Sequence, residues 1–415
     1  RKTYKYRLYT CERNKHLVES IELASVVWNH FVALTRRYYE IYGEYPGYYA
    51  LKKHLTKLKQ RDKGHWYDLN SQALQNVIER LDRAYQRFFE IDSAGRPGFK
   101  KREKYTSFTL TQTGWKLLGG NRVRIQNHNY KFVKSRPIKG EIKTVTIKRD
   151  ACGYLWICFS VEKEPPTPEL PRTGDAVGLD FGFKDFLVTS DGDRIQAPEP
   201  LQESLEEVQD LHKELSRKKR GSNNRKKAKR RLARKYRQID NQRKDFHFKL
   251  ARRLFSRYDV VCIEELNVGA MKELWGRKVS DLGFASFVKI LEHVAQKEGK
   301  EVRKIDRWFP SSQTCSDCSH RYEDLSLEER TWTCEECGSL HDRDLNAARN
   351  VLERALSSAE AGEDRQGRQP ALLEARSETA ELLPSDSWIA GGVGQLVDRR
   401  GDALGAGKES AGGEL

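Results

Sequence analysis

Hydrophobic positions change their spacing along this chain, and each change marks a boundary. After a short strand-like opening, Tyr4 to Tyr9, the stretch His16 to Tyr39 sets Leu17, Ile21, Ala24, Val27, Trp28, Phe31 and Leu34 at steps of three and four, the signature of an amphipathic helix. Leu51, Leu55 and Leu58 predict a second helix. A third carries Leu74, Val77, Ile78, Leu81, Tyr85 and Phe88 on one stripe, with Asn70 or Ser71 as its N-cap. Gly95-Arg96-Pro97-Gly98 ends that regime. From Phe99 onward short alternating runs predict an antiparallel β module: Ser107 to Leu110, Val123 to Ile125, Lys143 to Ile147, then Leu155 to Val161 across the Asp150-Ala151-Cys152-Gly153 turn.

Glu164-Pro165-Pro166-Thr167-Pro168 reads as a linker. Beyond it, Ala176 to Gly182 and Asp185 to Thr189 predict two strands joined by a tight turn. Leu201, Leu205, Val208, Leu211 and Leu215 then share one helical face, and Gly221-Ser222-Asn223-Asn224 is where a helical hairpin turns. Tyr258 to Ile263 is a buried-type strand, Phe284 to Gln296 a helix, and Asp344 to Ala355 another. The last residues, 356–415, are glycine-rich and aperiodic, which predicts a disordered tail.

Charge adds what periodicity cannot. Lys plus Arg number 76 against 60 Asp plus Glu, a net +16 over 415 residues. The tail is net −5, which leaves +21 on residues 1–355, so the body of the protein wants a polyanion. Thirteen Lys or Arg and no acid lie between Arg217 and Arg237, among them Arg217, Lys218, Lys219, Arg220, Arg225, Lys226, Lys227, Arg230 and Arg231. Cations at that density repel one another unless phosphates lie between them, so nucleic-acid contact is the better reading of the hairpin. In the β module, Lys100, Lys101, Arg102, Lys104, Lys131 and Lys134 alternate with Tyr105, Trp115 and Tyr130. That texture suits phosphate contacts with base stacking, and equally a solvated basic face over core aromatics. The longest apolar run, Tyr154 to Val161, is far shorter than a bilayer span, and no apolar segment follows Arg1-Lys2, so neither secretion nor membrane insertion is expected. The chain opens on Arg1 and has one methionine, Met271, which leaves room for residues ahead of it in the natural product.

Four of the eight cysteines, Cys11, Cys152, Cys158 and Cys262, sit singly in apolar surroundings and read as buried thiols. The other four are spaced for metal. Cys315-x₂-Cys318, fifteen residues, and Cys334-x₂-Cys337 bring two thiolate pairs onto two knuckles, the four-cysteine zinc pattern. With every position a thiolate, no site stays open for water, so the zinc is structural.

Three carboxylates stand where apolar residues are expected: Asp180 inside Val177-Gly178-Leu179-Asp180-Phe181-Gly182, Glu264 at the end of Val260-Val261-Cys262-Ile263, and Asp344 at the head of a helix. Each alone has a plain explanation as a turn residue, a half-exposed acid or a helix cap. Converging, they would raise one another's pKa unless divalent cations neutralise them, and Mg²⁺, a hard ion, suits oxygen ligands. Two such ions roughly 4 Å apart can promote phosphodiester hydrolysis without a histidine base.

At these residues the sequence resembles the TnpB family, transposon-encoded RNA-guided nucleases related to type V CRISPR effectors. The resemblance covers about residues 1–355. It rests on Ser71-Gln72-Ala73-Leu74-Gln75-Asn76, Arg80 to Tyr85, Gly98-Phe99-Lys100, Gly178 to Gly182, Phe309-Pro310-Ser311-Ser312-Gln313-Thr314-Cys315 and Asp342 to Ala348. It implies a multidomain α/β protein with an RNase H-like (RuvC) nuclease domain at 169–310 and 341–355. That domain would carry a basic helical hairpin at 199–255 and an inserted four-cysteine zinc ribbon at 311–340. A helical recognition domain at 15–94 and a small β-barrel wedge at 1–14 and 95–168 would read a short motif beside the target and grip the RNA. The family's acids correspond to Asp180, to Glu264 rather than Glu265, and to Asp344 rather than Asp342. Ser319 departs from the glycine common after the second cysteine, which bears on the knuckle's turn.

The implied function is RNA-guided cleavage of double-stranded DNA by a chain that works as a monomer in the cytoplasm, on the nucleoid when bound to DNA, with guide RNA, structural Zn²⁺ and two catalytic Mg²⁺. A cleavage-deficient RNA-guided DNA-binding regulator is the alternative, disfavoured because the acidic trio is complete. A plain zinc-ribbon DNA binder leaves Asp180 and Glu264 unexplained.

Overall fold

Helix α1, Asn14–Tyr42, buries the stripe that its periodicity predicts: Leu17, Ile21, Ala24, Val27, Trp28 and Phe31 are nearly inaccessible. It ends where Gly43 enters the left-handed region at φ 71° and donates its N–H to the Tyr39 carbonyl at 2.8 Å. By length and composition α1 could cross a bilayer, but half of its most apolar stretch is buried inside this unit, as in a core helix. Helix α2 is Gly47–Arg61 and α3 is Ser71–Glu90, the latter capped by the Asn70 side chain, which accepts from Gln72 N at 2.9 Å.

The computed structural model describes residues 1–61, 65–162, 168, 170–266, 276, 278, 281–326 and 328–363. These form two compact units, residues 1–162 and 168–363. The expected linker, apart from Pro168, lies outside the described residues, as does the tail from residue 364 on.

In the first unit, strands β1 (Lys2–Arg7), β2 (Ser107–Leu110), β6 (Glu141–Arg149) and β7 (Leu155–Glu162) make an antiparallel sheet in the order β1-β7-β6-β2. Along β7, Leu155, Ile157, Phe159 and Val161 point inward, and they pack with α1 and α3 into one core. Arg80 on α3 ties the layers together, donating to the Ser107 carbonyl at 3.1 Å and to Thr109 Oγ1 at 2.5 Å. A second sheet holds β3 (Trp115–Leu117), β4 (Arg122–Ile125) and β5 (His128–Lys131), and meets β1 through a bridge between Leu8 and Phe132. The expected barrel is therefore corrected: among the described residues the β module is an open four-stranded sheet beside a three-stranded one, and no ladder joins β2 back to β1.

The second unit is built on a five-stranded sheet in the order β10-β9-β8-β11-β12, with β8 Ala176–Asp180, β9 Leu187–Thr189, β10 Arg194–Ile195, β11 Val260–Glu264 and β12 Glu301–Ile305. Strands β8, β11 and β12 run parallel, β9 runs antiparallel to β8, and β10 antiparallel to β9. Between them the chain makes α4 (Pro200–Glu203), α5 (Leu205–Ser216), α6 (Asn223–Arg257) and, after β11, α7 (Phe284–Glu298). The turn falls at 217–222 as the glycine and asparagines predict, with Ser222 capping α6 by accepting from Arg225 N. Val208, Leu215, Ala228, Leu232 and Ile239 close a small core within the α5–α6 hairpin.

Val177, Leu179, Val261 and Ile263 turn one face of the sheet to α6 and α7. The other face meets the last helix, α8 (Arg343–Glu363), which follows the hairpin of β13 (Thr331–Thr333) and β14 (Leu340–Asp342). Its eight residues past Ala355 correct the expectation of disorder from residue 356. Polar and small residues there carry no apolar stripe, so periodicity could not show the helix. At Gly178 the approach is so close that an added Cβ would stand 2.0 Å from the Ala348 carbonyl oxygen and 2.8 Å from Leu352 N.

Backbone cannot yield as a flexible side chain can, so Gly178→Ala is expected to lower the melting temperature by about 5–10 °C. Gly95→Ala, where nothing lies within 4 Å, serves as the control and should leave it unchanged. Equal melting of both variants in circular dichroism would contradict this packing.

Candidate active site and metal centre

Asp180 and Glu264 end neighbouring parallel strands. The last register pair is Leu179 with Ile263, so the two acids stand side by side one residue further on, with strands about 4.8 Å apart. Side chains alternate across a strand, so Asp180 shares the face of Gly178, and Glu264 that of Cys262. This is the face that α8 covers, since Cys262 packs with Val351, Ala355 and Leu352. Asp344 lies in the first turn of α8, four residues before the Ala348 that touches Gly178. Two residues along a strand and four along a helix both advance roughly 6 Å, so the helix brings Asp344 toward Asp180.

The electrostatics agree with that placement. Burial first, then the charges of Glu264 and Asp344, push the Asp180 carboxyl up to about 7, against partial relief from Arg343 and Arg330. Burial also raises Glu264, and the Ser311 hydroxyl, which donates to its Oε1, offsets part of the rise. Asp344 takes Arg330 Nη1 at 3.3 Å and lies 3.8 Å from Arg194 Nη1. Asp342 is engaged otherwise: it accepts from Leu345 N at 3.0 Å as a cap of α8 and pairs with Arg194 Nη2 at 2.6 Å. Glu265 is exposed. Among the described residues the three carboxylates do not form a cluster as tight as the one that the cysteines make.

Several residues at this site lay beyond sequence reasoning. Arg194, on a two-residue strand, gathers Asp185 at 2.9 Å together with Asp342 and Asp344, and no pattern announced it. Asn346 and Asn350, one turn apart on α8 and nearly inaccessible, each donate to the Thr314 carbonyl, at 2.7 and 2.6 Å, and Asn350 also reaches the Ser311 carbonyl at 2.7 Å. They clamp the segment entering the cysteine cluster onto the helix that carries Asp344. Buried amides at a helical spacing were the available signal.

The four cysteines come together as their spacing predicts. Their sulfurs all lie within 4.8 Å of one another, with Cys315–Cys337 at 3.7 Å and Cys318–Cys334 at 3.6 Å. A tetrahedron with bonds of about 2.3 Å has edges of about 3.8 Å, so the donor set fits zinc. The Ser339 hydroxyl and N–H hold Cys337 down to about 6, whereas burial raises Cys315. Ser319 takes φ 63°, the left-handed conformation that Gly338 takes on the other knuckle at 74°. His341 adds a contact not anticipated, its Nε2 standing 3.0 Å from Cys315 Sγ. Of the single thiols, Cys152 and Cys262 are buried and Cys158 half-buried, but Cys11 is exposed in a turn beside Asn14, against expectation.

The cationic candidates divide. Lys101, Arg102, Lys104, Lys131 and Lys134 are exposed to differing degrees, as are Arg217, Lys219, Arg220, Lys226, Lys227 and Arg230, with Lys218 half-exposed. Lys100 instead sets its ammonium 3.7 Å from the centre of the Trp28 ring, where burial and Arg80 lower its pKa. Arg225 serves the fold, donating to the Leu215 and Lys218 carbonyls at the end of α5, and Arg231 pairs with Glu214 at 3.1 Å. The stacking role considered for the β module's aromatics is corrected too: Tyr105 and Tyr130 are core residues at 5% and 2% exposure, and Trp115 packs against the same core.

Comparisons with known proteins bear on this geometry. Residues 157–274 match a family described as a probable transposase, and residues 284–351 match the Cas12f1-like TNB domain. A Streptomyces pristinaespiralis protein named "Putative RNA-guided DNA endonuclease" is 32% identical over 406 residues, 95% of this chain and 99% of that one. An Escherichia coli protein of the same name, InsQ, is 29% identical over 364 residues, 83% and 89% of the two chains. The fold is similar to that in the cryo-EM structure of the Cas12f1-sgRNA-target DNA complex, at a TM-score of 0.52 and 15% identity over 83% of each chain. A relative this similar across nearly the whole of both chains, matching where the motifs lie, establishes that the chain belongs to the TnpB family of RNA-guided DNA endonucleases.

Proposed function

We propose that this chain is a Mg²⁺-dependent, RNA-guided DNA endonuclease whose cleavage centre is Asp180, Glu264 and Asp344. The observation that carries the reading is that Asp180 and Glu264 end neighbouring strands on the face covered by α8, whose first turn bears Asp344. Antiparallel β8, β9 and β10 joined to parallel β11 and β12, with helices on both faces, support an RNase H-like, RuvC-type assignment for the second unit. The first unit is read as the recognition and wedge part, and the exposed cations of the hairpin as contacts for guide RNA or target DNA.

The donor set fits the metal. Three carboxylates offer hard oxygens, and the negative charge they share is what a divalent cation would relieve. Asp180, Glu264 and Asp344 would hold Mg²⁺, which when bound would supply positive charge for activating a water and steadying the departing oxygen of a phosphodiester. The protein's own contribution is orientation. Ser311 fixes the Glu264 carboxylate, Arg330 and Arg194 fix Asp344, and the asparagine clamp fixes the helix on which Asp344 rides. The second reading, a guide-dependent regulator without cleavage, needs the trio to be broken, and no observation favours it.

Asp180→Ala is expected to reduce Mg²⁺-dependent cleavage of guide-matched DNA by at least about a thousandfold while RNA binding persists. Undiminished strand cleavage by that variant would overturn the assignment. The cysteine cluster is read as a structural zinc site, so Cys334→Ser should lower bound zinc from one per chain and lower the melting temperature. Metal content and melting both equal to those of the unaltered chain would remove the zinc from the account.

A further inference from the structure

Trp308 is 81% exposed, a surface position at which so large an apolar ring forgoes the stabilisation of burial. Its location is set by the candidate active site. The loop 306–310 leaves β12 after Ile305, the register partner of Glu264, and re-enters at Ser311, whose hydroxyl donates to the same Glu264. One end of the loop is therefore paired with Glu264 along the sheet and the other is hydrogen-bonded to its carboxylate, and Trp308 stands three residues, at most roughly 10 Å of chain, from each end.

The loop is firmly held. Asp306 accepts from Trp308 N through its carboxylate at 2.8 Å and from Phe309 N through its carbonyl at 3.2 Å. Ser311 N then donates to the Phe309 carbonyl at 2.8 Å. Phe309 packs inward against Cys262, Ile305 and Val351, so its neighbour is turned outward. The Arg307 guanidinium lies 5.5 Å from the Trp308 ring centre, placing a cation against the indole. A fixed, exposed indole with an adjoining cation offers a base a flat surface and a backbone phosphate a charge, and it does so without regard to sequence.

We infer that Trp308 and Arg307 form a stacking shelf for a single-stranded stretch of DNA, seating a nucleobase beside the phosphodiester presented to Asp180, Glu264 and Asp344. This deepens the endonuclease reading and rests on it for the identity of the strand. Stacking there would fix the strand at the edge of the carboxylates, so the shelf contributes to positioning as well as to affinity.

The test has two readouts. In the first, the full-length Asp180→Ala chain, with the RNA it carries, is irradiated with a short single-stranded oligothymidylate containing 5-iododeoxyuridine, and crosslinked peptides are mapped. A crosslink on the peptide containing Trp308, lost in the Asp180→Ala, Trp308→Ala double variant, is expected. In the second, with the carboxylates intact, Trp308→Ala slows single-turnover cleavage of matched DNA by about tenfold, and Trp308→Phe, which restores a ring, recovers most of the rate. Crosslinks only at other positions, together with an unchanged rate for Trp308→Ala, overturn the shelf. A crosslink at Trp308 in a protein whose unaltered form cuts no DNA keeps the shelf and removes the nuclease. Cleavage without the crosslink does the reverse.

Discussion

The approach of α8 to the backbone of β8 at Gly178 is the constraint on which the second unit depends. Any side chain there would collide with the Ala348 carbonyl. Because the helix lies directly on the strand, its first turn reaches the end of the sheet where Asp180 and Glu264 project. A helix held off by the bulk of even one methyl would carry Asp344 away from them. Glycine at this position serves close packing rather than a turn, and the sequence places it two residues before the first acid.

What that packing assembles is electrostatically unfavourable by itself. Asp180 is buried and stands near Glu264 and Asp344, and burial first, then their charges, hold its carboxyl above the usual range. The surroundings reduce the penalty without removing it: Arg330, Arg343 and Arg194 supply positive charge, and Ser311 a hydrogen bond. On the proposed reading, that residual charge is what a divalent cation would relieve. The asparagine clamp extends the same logic to the cysteine cluster, because Asn346 and Asn350 bind the segment leading into it to the helix that carries Asp344. The cysteine cluster and the first turn of α8 are thereby held by the same few hydrogen bonds.

Much of this was legible in the sequence because it depends on local pattern. The stripes of α1 and α3, the alternation of β7 and the turn at Gly221 each express one dominant period or one residue's conformational freedom. The acids were visible as polar breaks in apolar strands, and the cysteines by spacing alone. What stayed hidden depends on partners far away in the chain. Strand β12, Glu-Val-Arg-Lys-Ile, is charged because it lies at a sheet edge where Arg303 and Lys304 find Glu301 and Glu292. Arg194 acts through three acids, two of them about 150 residues away. Tyr105 and Tyr130 read as possible stacking residues because interleaved lysines look alike whether the rings face solvent or core. The open sheets in place of a barrel follow from which edges pair, and strand periodicity does not specify that.

Asp180 is held up first by burial and then by the charges of Glu264 and Asp344, and the pH dependence of its effect on stability measures that rise. A carboxyl raised in the folded state above its unfolded value favours folding when protonated, and that advantage disappears as pH climbs through the folded pKa, about 7 here. Asp180→Asn mimics the protonated form. In buffer without added Mg²⁺, its melting temperature relative to the unaltered chain should differ little near pH 4, rise with pH, and level off above about 7. A difference that does not change with pH would show that neither burial nor the neighbouring acids raise the Asp180 carboxyl, and the crowded site would be lost with it.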